Sequence, residues 1–483
     1  MARTISAQRV ATLVGGFHRS PAYVGLAESL RVLIGDGRIG LDVRLPSERE
    51  LTAALDVSRA TVTRAYDLLR ETGYAEARRG AGTFTRVPGG RRQSHDRALM
   101  PGPSDEHTID LNCAAGSAPP GTAEAYAAAA EALPAYLSGP GYFPLGVPAL
   151  QARIAASYDA RGLPTAPEQI MVTPGALAAS AIVAQALTGP GDRLVVENPT
   201  YPNATQALRH TGARLVPADV DPEGWDIAAH GATLRQVAPR LVYLIADFQN
   251  PTGLLMTDEQ RAELAAHVRR ARTIAVCDEA HRDLALVPGL AETMPLPFAA
   301  HCESTVTIGS ASKSYWGGLR LGWLRAPLPM IDRLLEARMS LDLGAPVFEQ
   351  LALAELMDRA DEVLPAHRAR LLQQRDVLVA AVRQHLPQWQ FRVPDGGLAL
   401  WCELPAALGT ATAVEAERRG VVVAPGPVFA VEGGLDRFVR IPWTASPENL
   451  AEAVRRLAGA WEHVTTDAAR PATQRVAGRV MVA

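Results

Sequence analysis

Lysine is almost absent from this sequence: of its 48 basic residues, Lys313 is the one lysine and 47 are arginines. An arginine keeps its charge more reliably than a lysine, whereas only the lysine amine loses its proton at accessible pH and becomes a nucleophile. A chance surface lysine is the plain alternative. The chemistry that most often requires a lysine amine is imine formation with a carbonyl group. This single position therefore predicts a reactive amine.

Cysteines and long apolar runs are also scarce. The four cysteines, Cys113, Cys277, Cys302 and Cys402, show no paired spacing. They indicate reduced thiols, not a disulfide framework or a zinc site. No segment approaches the roughly 20 uninterrupted apolar residues of a membrane span, and the N-terminus lacks the apolar stretch of a signal peptide. We expect a cytoplasmic protein without a metal or a membrane partner.

The length of 483 residues suits two or three folded units. Charge is unevenly distributed along it. Residues 1–100 hold 16 basic and 10 acidic residues, a balance of +6, whereas the remainder holds 32 and 41, a balance of −9. These balances give the net charge of −3. A basic N-terminal segment on an acidic body predicts that the N-terminal segment alone meets a polyanion.

Residues 21–87 contain a series of helix start and stop signals. A first helix has leucines at helical spacing and ends at glycines. Ser47 and Glu50 form a capping box for a second helix that runs to Leu55, and Ser58 is placed to cap a third. A hairpin with a glycine tip follows. Two helices joined by a tight turn predict a helix-turn-helix, which can enter the major groove of DNA; the alternative is a small helical subdomain with solvated arginines.

This segment, which includes "LPSEREL" and "LDVSRATVTRAYDLLRETGYAEARRGAGTFT", closely resembles the GntR-type winged helix-turn-helix of bacterial regulators. The resemblance implies that the second helix of the motif and the wing face double-stranded operator DNA. Arginines can bind guanine edges or phosphates, and hydroxyl groups suit phosphates. The residues implied in DNA binding are Arg49, Ser58, Arg59, Thr61, Thr63, Arg79 and Gly80.

The pattern of the rest of the chain predicts a linker, a large body and a tail. Residues 88–107 are rich in proline, glycine and charge, and predict a flexible linker after an N-terminal domain of residues 1–87. Over residues 108–463, short β-branched runs alternate with helical stretches, which predicts an α/β fold with a mainly parallel sheet flanked by helices. Residues 464–483 have little periodicity and predict a disordered tail.

Chemically unusual residues fall at the ends of the predicted strands, where such sheets bind ligands. Gly175 opens a helix whose free backbone N–H groups form an anion site. Asn250 follows one strand, Asp278 brings a carboxylate out of another, and Lys313 precedes Arg320 by seven residues. Each feature alone has a plain structural explanation, such as a turn or a helix cap. Together, an anion site, an isolated carboxylate and an amine suit a phosphorylated pyridine aldehyde, pyridoxal 5'-phosphate (PLP).

The order of these motifs resembles the fold-type I, aspartate-aminotransferase-like PLP proteins, whose fold adds a smaller C-terminal α+β subdomain. The resemblance implies that Lys313 is the Schiff-base lysine, that Asp278 holds the pyridine nitrogen protonated and that Asn250 contacts the ring hydroxyl. The further contacts that it implies are Gly175, Ala176, Ser310 and Arg320 at the phosphate, Tyr201 stacked on the ring, and Tyr142 at the phosphate of the neighbouring subunit.

Two more positions bear on the ligand. Arg440 in "FVRIPW" matches the arginine that commonly binds a substrate carboxylate in this family. Three residues past Asp278 the family usually has a tyrosine bonded to the ring oxygen, and here the residue is His281. Because imidazole can donate the same bond, we expect the cofactor to bind, although any turnover could change.

A winged helix joined by a linker to such a body is the layout of MocR-type regulators, a GntR subgroup. We therefore predict a homodimeric transcription regulator that binds PLP and operator DNA and senses an amine, an amino acid or PLP itself. The first alternative is an active PLP-dependent aminotransferase with an appended DNA-binding domain, because the site looks chemically complete. The second is a cofactor-free interaction module, against which the single lysine argues.

Overall fold

The computed structural model describes residues 3–35, 38–78, 80–86 and 108–469. Within these ranges no helix is both long enough and apolar enough to cross a membrane. The expected linker, the expected wing residue Arg79 and residues 470–483 of the expected tail lie outside them.

The N-terminal unit combines helices with a small sheet. Its helices are α1 (Ala7–Val14), α2 (Ala22–Gly35), α3 (Glu48–Leu55) and α4 (Arg59–Glu71). Its strands are β1 (Arg3–Thr4), β2 (Val43–Arg44), β3 (Ala75–Arg78) and β4 (Gly82–Thr85), in the spatial order β1-β2-β4-β3. α3 and α4 are the two predicted helices of the helix-turn-helix, and β3 and β4 form the antiparallel hairpin of the wing.

Local signals place α3 and α4. Ser47 and Glu50 form the predicted capping box, in which each side chain accepts a hydrogen bond from the backbone N–H of the other. α3 ends at Asp56, whose φ of 51° reverses the chain direction. Ser58 then accepts the Thr61 N–H at 3.1 Å and starts α4. Such caps contribute about 1 kcal/mol each, so the turn between the helices is fixed from both sides.

The described part of the body begins at residue 108, just before a short strand. Its strands are β5 (Ile109–Asp110), β6 (Ile170–Thr173), β7 (Arg193–Asn198), β8 (Arg214–Asp221), β9 (Gly224–Trp225), β10 (Leu241–Leu244), β11 (Ile274–Asp278), β12 (Thr305–Ser310), β13 (Gly322–Arg325), β14 (Ala399–Glu403), β15 (Val421–Val422), β16 (Ala424–Pro425) and β17 (Phe438–Pro442). Its helices are α5 (Thr122–Ala132), α6 (Pro148–Ala160), α7 (Ala176–Leu187), α8 (Pro202–His210), α9 (Ile227–Val237), α10 (Asp258–Arg270), α11 (Phe298–His301), α12 (Leu328–Met339), α13 (Val347–Asp358), α14 (Ala360–His385), α15 (Gly409–Arg418) and α16 (Pro447–Ala469).

Eight strands form the central sheet, in the order β6-β13-β12-β11-β10-β7-β8-β9. The five strands from β12 to β8 in this order run parallel, whereas β13 is antiparallel to both of its neighbours. β10 and β12 are buried along their whole length, as expected for strands covered on both faces. The prediction of a mainly parallel α/β sheet is confirmed, and the carboxyl ends of β7, β10, β11 and β12 share one edge.

A smaller subdomain follows the sheet. β14, β17 and β16 form an antiparallel sheet, and its core is continuous with buried side chains of α14, α15 and α16. This is the predicted α+β subdomain. The predicted start of a disordered tail at residue 464 is wrong, because α16 continues to Ala469. The apolar face of the helix extends past Trp461, so Val464 still packs against the core.

The end of α2 contacts the body beside the start of α15. The Thr410 hydroxyl lies 2.7 Å from the Gly35 carbonyl oxygen and 2.6 Å from Asp436 Oδ1. The Thr410 N–H donates to the same carboxylate oxygen at 2.7 Å. At Gly433, where φ is +90°, an added Cβ would stand 2.7 Å from the Arg38 backbone nitrogen. The N-terminal unit therefore rests on the segment that leads into β17, and glycine permits that approach.

Candidate ligand site around Lys313

The structure brings the residues predicted from the strand ends to one edge of the sheet. Asp278 ends β11 and Ser310 ends β12. Lys313 lies directly after β12 in a single π-helical turn, Ser312–Trp316. Such turns are rare overall, but those that occur often lie at functional sites. Parallel pairing of β11 with β12 places the carboxylate and the amine at the same edge.

The Lys313 amine is held in a buried environment. Its Nζ donates to the Ala114 carbonyl oxygen at 2.6 Å. Burial lowers the pKa of the Lys313 amine, the charge of Arg440 adds to the lowering, and Cys113 and Asp278 oppose it. A lowered pKa increases the fraction of unprotonated, nucleophilic amine at neutral pH.

The backbone of Lys313 is fixed by a residue that the sequence did not reveal. His367 Nε2 donates to the Lys313 carbonyl oxygen at 2.9 Å, so its other ring nitrogen, Nδ1, accepts from Arg370 at 2.9 Å. Burial lowers the pKa of His367, which keeps the imidazole neutral and this pattern of donor and acceptor intact. His367 lies on α14, 54 residues along the chain, and no local pattern links it to Lys313.

Asp278 is a buried carboxylate with two fixed partners. The Tyr243 hydroxyl donates to Oδ2 at 2.6 Å, and the Ala280 N–H donates to Oδ1 at 2.9 Å. Burial raises the pKa of Asp278, while these two hydrogen bonds and the Lys313 charge lower it. Burial also raises the pKa of Tyr243, so the phenol stays a donor and Asp278 stays the acceptor. Tyr243 was missed, although it is the one polar side chain in the strand LVYL.

The start of α7 is where the sequence predicts an anion site. The Gly175 N–H donates to the Thr173 carbonyl oxygen at 2.8 Å, so this amide already has a backbone partner, and its contact with a phosphate stays a prediction. The free donors of the helix start at Ala176. Gly322 of β13 passes directly beneath, where an added Cβ would lie 2.6 Å from the Ala176 nitrogen. The close approach of strand and helix explains the glycine.

Arg320 and Ser310 add to this anion site. A terminal guanidinium nitrogen of Arg320 lies 3.4 Å from the position that a Cβ of Gly175 would occupy. Arg320 forms no ion pair within the described part of the chain. Ser310 Oγ accepts the Ser312 N–H at 3.2 Å, which leaves the hydroxyl proton free to donate. A phosphate fits these donors.

Arg440 is buried beside the amine, and no acidic side chain of the described residues pairs with it. It is 1% exposed, and its guanidinium donates to Asn250 Oδ1 at 3.3 Å and to the Asn112 carbonyl oxygen. Phe429 covers it at 4.8 Å. Its Nε has no hydrogen-bond partner among the described residues. Burial lowers the pKa of Arg440 to about 10. A buried cation without a counter-ion is costly, and a ligand carboxylate would supply the missing charge.

The three predicted side chains with rings, Tyr201, His281 and Tyr142, lie in different environments. Tyr201 immediately precedes α8, and burial raises the pKa of its phenol to about 12, with a further contribution from nearby Asp278. His281 lines a small cavity together with Asn250. Tyr142, by contrast, is 64% exposed in the loop before α6, and its contact with a neighbouring subunit stays a prediction.

Of the predicted DNA-binding residues that the structure describes, Arg49, Ser58, Arg59 and Gly80 are exposed, whereas Thr61 and Thr63 are half-buried. The Arg59 side chain is 75% exposed and lies 3.3 Å from Glu48, and Arg49 is exposed as well. Gly80 occupies the tip of the wing with φ +74°. The hydroxyls at the start of α4 are engaged locally, in a cap or in contacts within the first turns: Ser58, Thr61 and Thr63.

Comparison with known proteins agrees with both units. Residues 121–457 match the aminotransferase class I and II family, and residues 22–85 match the bacterial regulatory proteins of the gntR family. The uncharacterized HTH-type transcriptional regulator YisV of Bacillus subtilis is 27% identical over 83% of this chain and 87% of its own length. The probable rhizopine catabolism regulatory protein MocR of Rhizobium meliloti is 29% identical over 80% of this chain and 83% of its own.

A solved structure with the same fold contains a cofactor derivative. LysN, the alpha-aminoadipate aminotransferase of Thermus thermophilus, was solved with N-(5'-phosphopyridoxyl)-L-leucine. It superposes with a TM-score of 0.67 and 28% identity over 75% of this chain and 94% of LysN. The predicted fold class is confirmed. The chain belongs to the class I and II aminotransferase family, and it joins that body to a GntR-type helix-turn-helix unit, the arrangement of the MocR-type transcriptional regulators.

Proposed function

We propose that this chain is a PLP-binding transcription regulator, in which the N-terminal unit binds operator DNA and the body senses an amine or an amino acid. The observation that carries the proposal is that one segment, residues 426–440, contacts both the Lys313 site and the N-terminal unit. We call it the connecting segment. An active aminotransferase with an appended DNA-binding unit is the second candidate, favoured by the nucleophilic amine, the buried Asp278 and the unpaired Arg440.

The residues present fit PLP. The unpaired Arg320 and the free Ala176 N–H would hold the phosphate, Asp278 would hold the protonated pyridine nitrogen, and Tyr201 would cover the ring. Lys313 would bind the aldehyde carbon. When bound, PLP supplies an electrophilic carbon that exchanges one amine for another. The chain's own contribution is to lower the pKa of the lysine amine through burial and to hold its backbone in place through His367.

One end of the connecting segment forms part of the ligand site. Phe429 stacks on the Arg440 guanidinium at 4.8 Å, and its carbonyl oxygen accepts the Thr200 N–H at 3.1 Å. Thr200 directly precedes Tyr201, the residue proposed to cover the PLP ring. A carboxylate at Arg440 would change the charge against which Phe429 packs, so the ligand has a differential interaction with this part of the segment, as a switch requires.

The other end of the connecting segment holds the N-terminal unit. Gly433 packs against the backbone of Arg38, and Asp436 fixes the Thr410 hydroxyl that faces the Gly35 carbonyl. Packed interfaces of this kind change between discrete arrangements and do not deform continuously. We therefore propose that ligand binding shifts the connecting segment and, through it, the position of the helix-turn-helix.

Gly433→Ala is expected to uncouple the two units, because its new Cβ would stand 2.7 Å from the Arg38 nitrogen. The matched control is Gly434→Ala. Gly434 has the same backbone strain, with φ +91°, but nothing lies within 4 Å of its added Cβ. Fluorescence anisotropy of a duplex selected by the PLP-loaded wild-type protein, with and without L-alanine, measures the coupling. We expect Gly433→Ala to lose the dependence on L-alanine and Gly434→Ala to keep it; equal behaviour of both variants would contradict the proposal.

Arg59→Ala is expected to weaken binding to the selected duplex by about 1–3 kcal/mol, if its exposed guanidinium reads a guanine. Arg64→Ala is the control, since Arg64 lies on the same helix but packs over Tyr23 at 4.7 Å. Titration of the selected duplex and of a random duplex checks the prediction. An equal loss of affinity on both duplexes would show a phosphate contact in place of base recognition.

We also propose a homodimer formed by the bodies. Leu177 and Leu341 line one surface groove, and a second copy covering this face would bury apolar area and bring Tyr142 towards the neighbouring site. The large apolar side chains that are exposed on the body include Leu137, Tyr142, Leu177, Met339, Leu341 and Leu343.

We also propose that the protein works in the cytoplasm, where a regulator of this type binds its operator DNA.

A further inference from the structure

The imidazole of His281 lies beside the Lys313 site, and its one N–H is already hydrogen-bonded to the backbone. His281 Nδ1 lies 3.0 Å from the Phe248 carbonyl oxygen. A carbonyl oxygen can only accept, so Nδ1 carries the proton and Nε2 carries a lone pair. No described residue forms a hydrogen bond with Nε2, and the one hydrogen bond of the ring is that of Nδ1. His281 lines the same cavity as Asn250 and Arg440, so the lone pair is available to a ligand there.

A second proton on His281 is disfavoured. Burial lowers the pKa of its imidazole to about 4, and the positive charges of Lys313 and Arg440 add to the lowering. The bond to Phe248 and the charge of Asp247 act in the other direction without overcoming it. At neutral pH the imidazole therefore has one N–H, which points to the backbone and not into the cavity.

Asn250 presents the opposite polarity to the cavity. Its Oδ1 accepts from the Arg440 guanidinium at 3.3 Å, so its amide NH2 is the group left for a ligand. The pair thus offers one donor, from Asn250, and one acceptor, from His281. A neutral hydroxyl satisfies both, because it accepts one hydrogen bond and donates another. An oxyanion would face the His281 lone pair and would be repelled.

We propose that His281 selects the protonated ring hydroxyl of bound PLP, by accepting that hydrogen bond at Nε2 while Asn250 donates to the same oxygen. This inference rests on the proposed binding of PLP with its ring hydroxyl at Asn250. It reverses the expectation that imidazole donates as a tyrosine would. A phenol at this position donates and stabilises a deprotonated ring oxygen, whereas His281 holds the proton on the oxygen and away from the nitrogen of Lys313.

The absorption spectrum of the full-length protein loaded with PLP tests this assignment. With the proton on the ring oxygen, the bound cofactor absorbs mainly in the near ultraviolet; with the oxygen deprotonated, it absorbs in the visible. We expect a dominant near-ultraviolet band in the wild type and a dominant visible band in His281→Tyr. His281→Gln, whose amide can donate, is the second variant and should shift in the same direction. Borohydride reduction and mass analysis of the Lys313 peptide measure the loading of each protein independently.

A matched control comes from another buried histidine. His230 Nδ1 lies 2.9 Å from the Asp226 carbonyl oxygen, the same arrangement on α9, away from the site, so His230→Gln should leave the spectrum unchanged. A dominant visible band in the loaded wild-type protein, or one spectrum shared by the wild type and both His281 variants, overturns the role of His281 alone. If no PLP is attached to Lys313 in any protein, the proposed function is overturned and this inference with it.

Discussion

Lys313→Arg is expected to abolish the covalent attachment of PLP while the protein remains folded. Arginine preserves the positive charge but is not a nucleophile at accessible pH. Because Lys313 is the only lysine among the 48 basic residues, borohydride treatment of the PLP-loaded wild type should label one internal peptide. The variant should show no labelled internal peptide, and its visible and near-ultraviolet cofactor absorbance should be lost. Peptide mass analysis and the absorption spectrum measure both effects.

Two comparisons make this result specific. Arg214→Lys places a second lysine on an exposed strand end, and we expect no label there, since burial lowers the pKa of Lys313 but a solvated amine stays protonated. Circular dichroism should show that Lys313→Arg retains its fold. If Lys313→Arg kept the full response of DNA binding to L-alanine, the position would need only charge, and the proposed function would fail.

Arg440→Gln is expected to reduce the affinity for amino acids by roughly 10-fold to 150-fold, because a hydrogen-bonded charge pair contributes about 1.5–3 kcal/mol. An amine of similar shape that lacks a carboxylate should bind the variant and the wild type equally. Titration of PLP-loaded protein with L-alanine and with ethylamine, followed by the cofactor absorbance, separates the two effects. The variant should not be less stable to heat, since the wild-type guanidinium is buried and has no acidic partner in the described part of the chain.

Arg437→Gln is the control for this experiment. Arg437 precedes β17 and lies on the surface at 3.5 Å from Glu403, so its loss should leave both affinities unchanged. An equal loss of affinity for L-alanine and for ethylamine in Arg440→Gln would show that Arg440 supports the pocket in general and does not recognise a carboxylate.

The sequence was sufficient for residues whose role depends on strand ends and helix caps. Asp278 and Lys313 could be placed together because parallel strands end at one edge, and Ser47 carries its own capping signal. The roles of Tyr243 and His367 could not be predicted from the sequence, since each acts through a contact with another element of the fold. The occupied Gly175 amide depends on the local path of the backbone, which residue types do not fix.

Contacts between the two units were also outside what sequence patterns can give. Thr410 and Gly35 are 375 residues apart in the chain, and a threonine at a helix start or a glycine at a helix end has a common local explanation. Similarly, the sequence predicts that the His281 imidazole contacts the ring, but which of its nitrogens carries the proton depends on the Phe248 carbonyl. These features need the folded backbone.

The fit of Gly433 against Arg38 limits how this protein can be rebuilt. Chimeric regulators are made by exchanging the DNA-binding part of one chain for that of another, as if the two parts were independent modules. Here the boundary of the transferable part is not the predicted linker, because Arg38 packs against Gly433 and the Gly35 carbonyl contacts Thr410, which Asp436 holds in place. A foreign DNA-binding part would need the same helix end as Gly35, or the recipient segment would have to be exchanged with it. We expect chimeras joined at the linker alone to bind their DNA but to ignore the ligand.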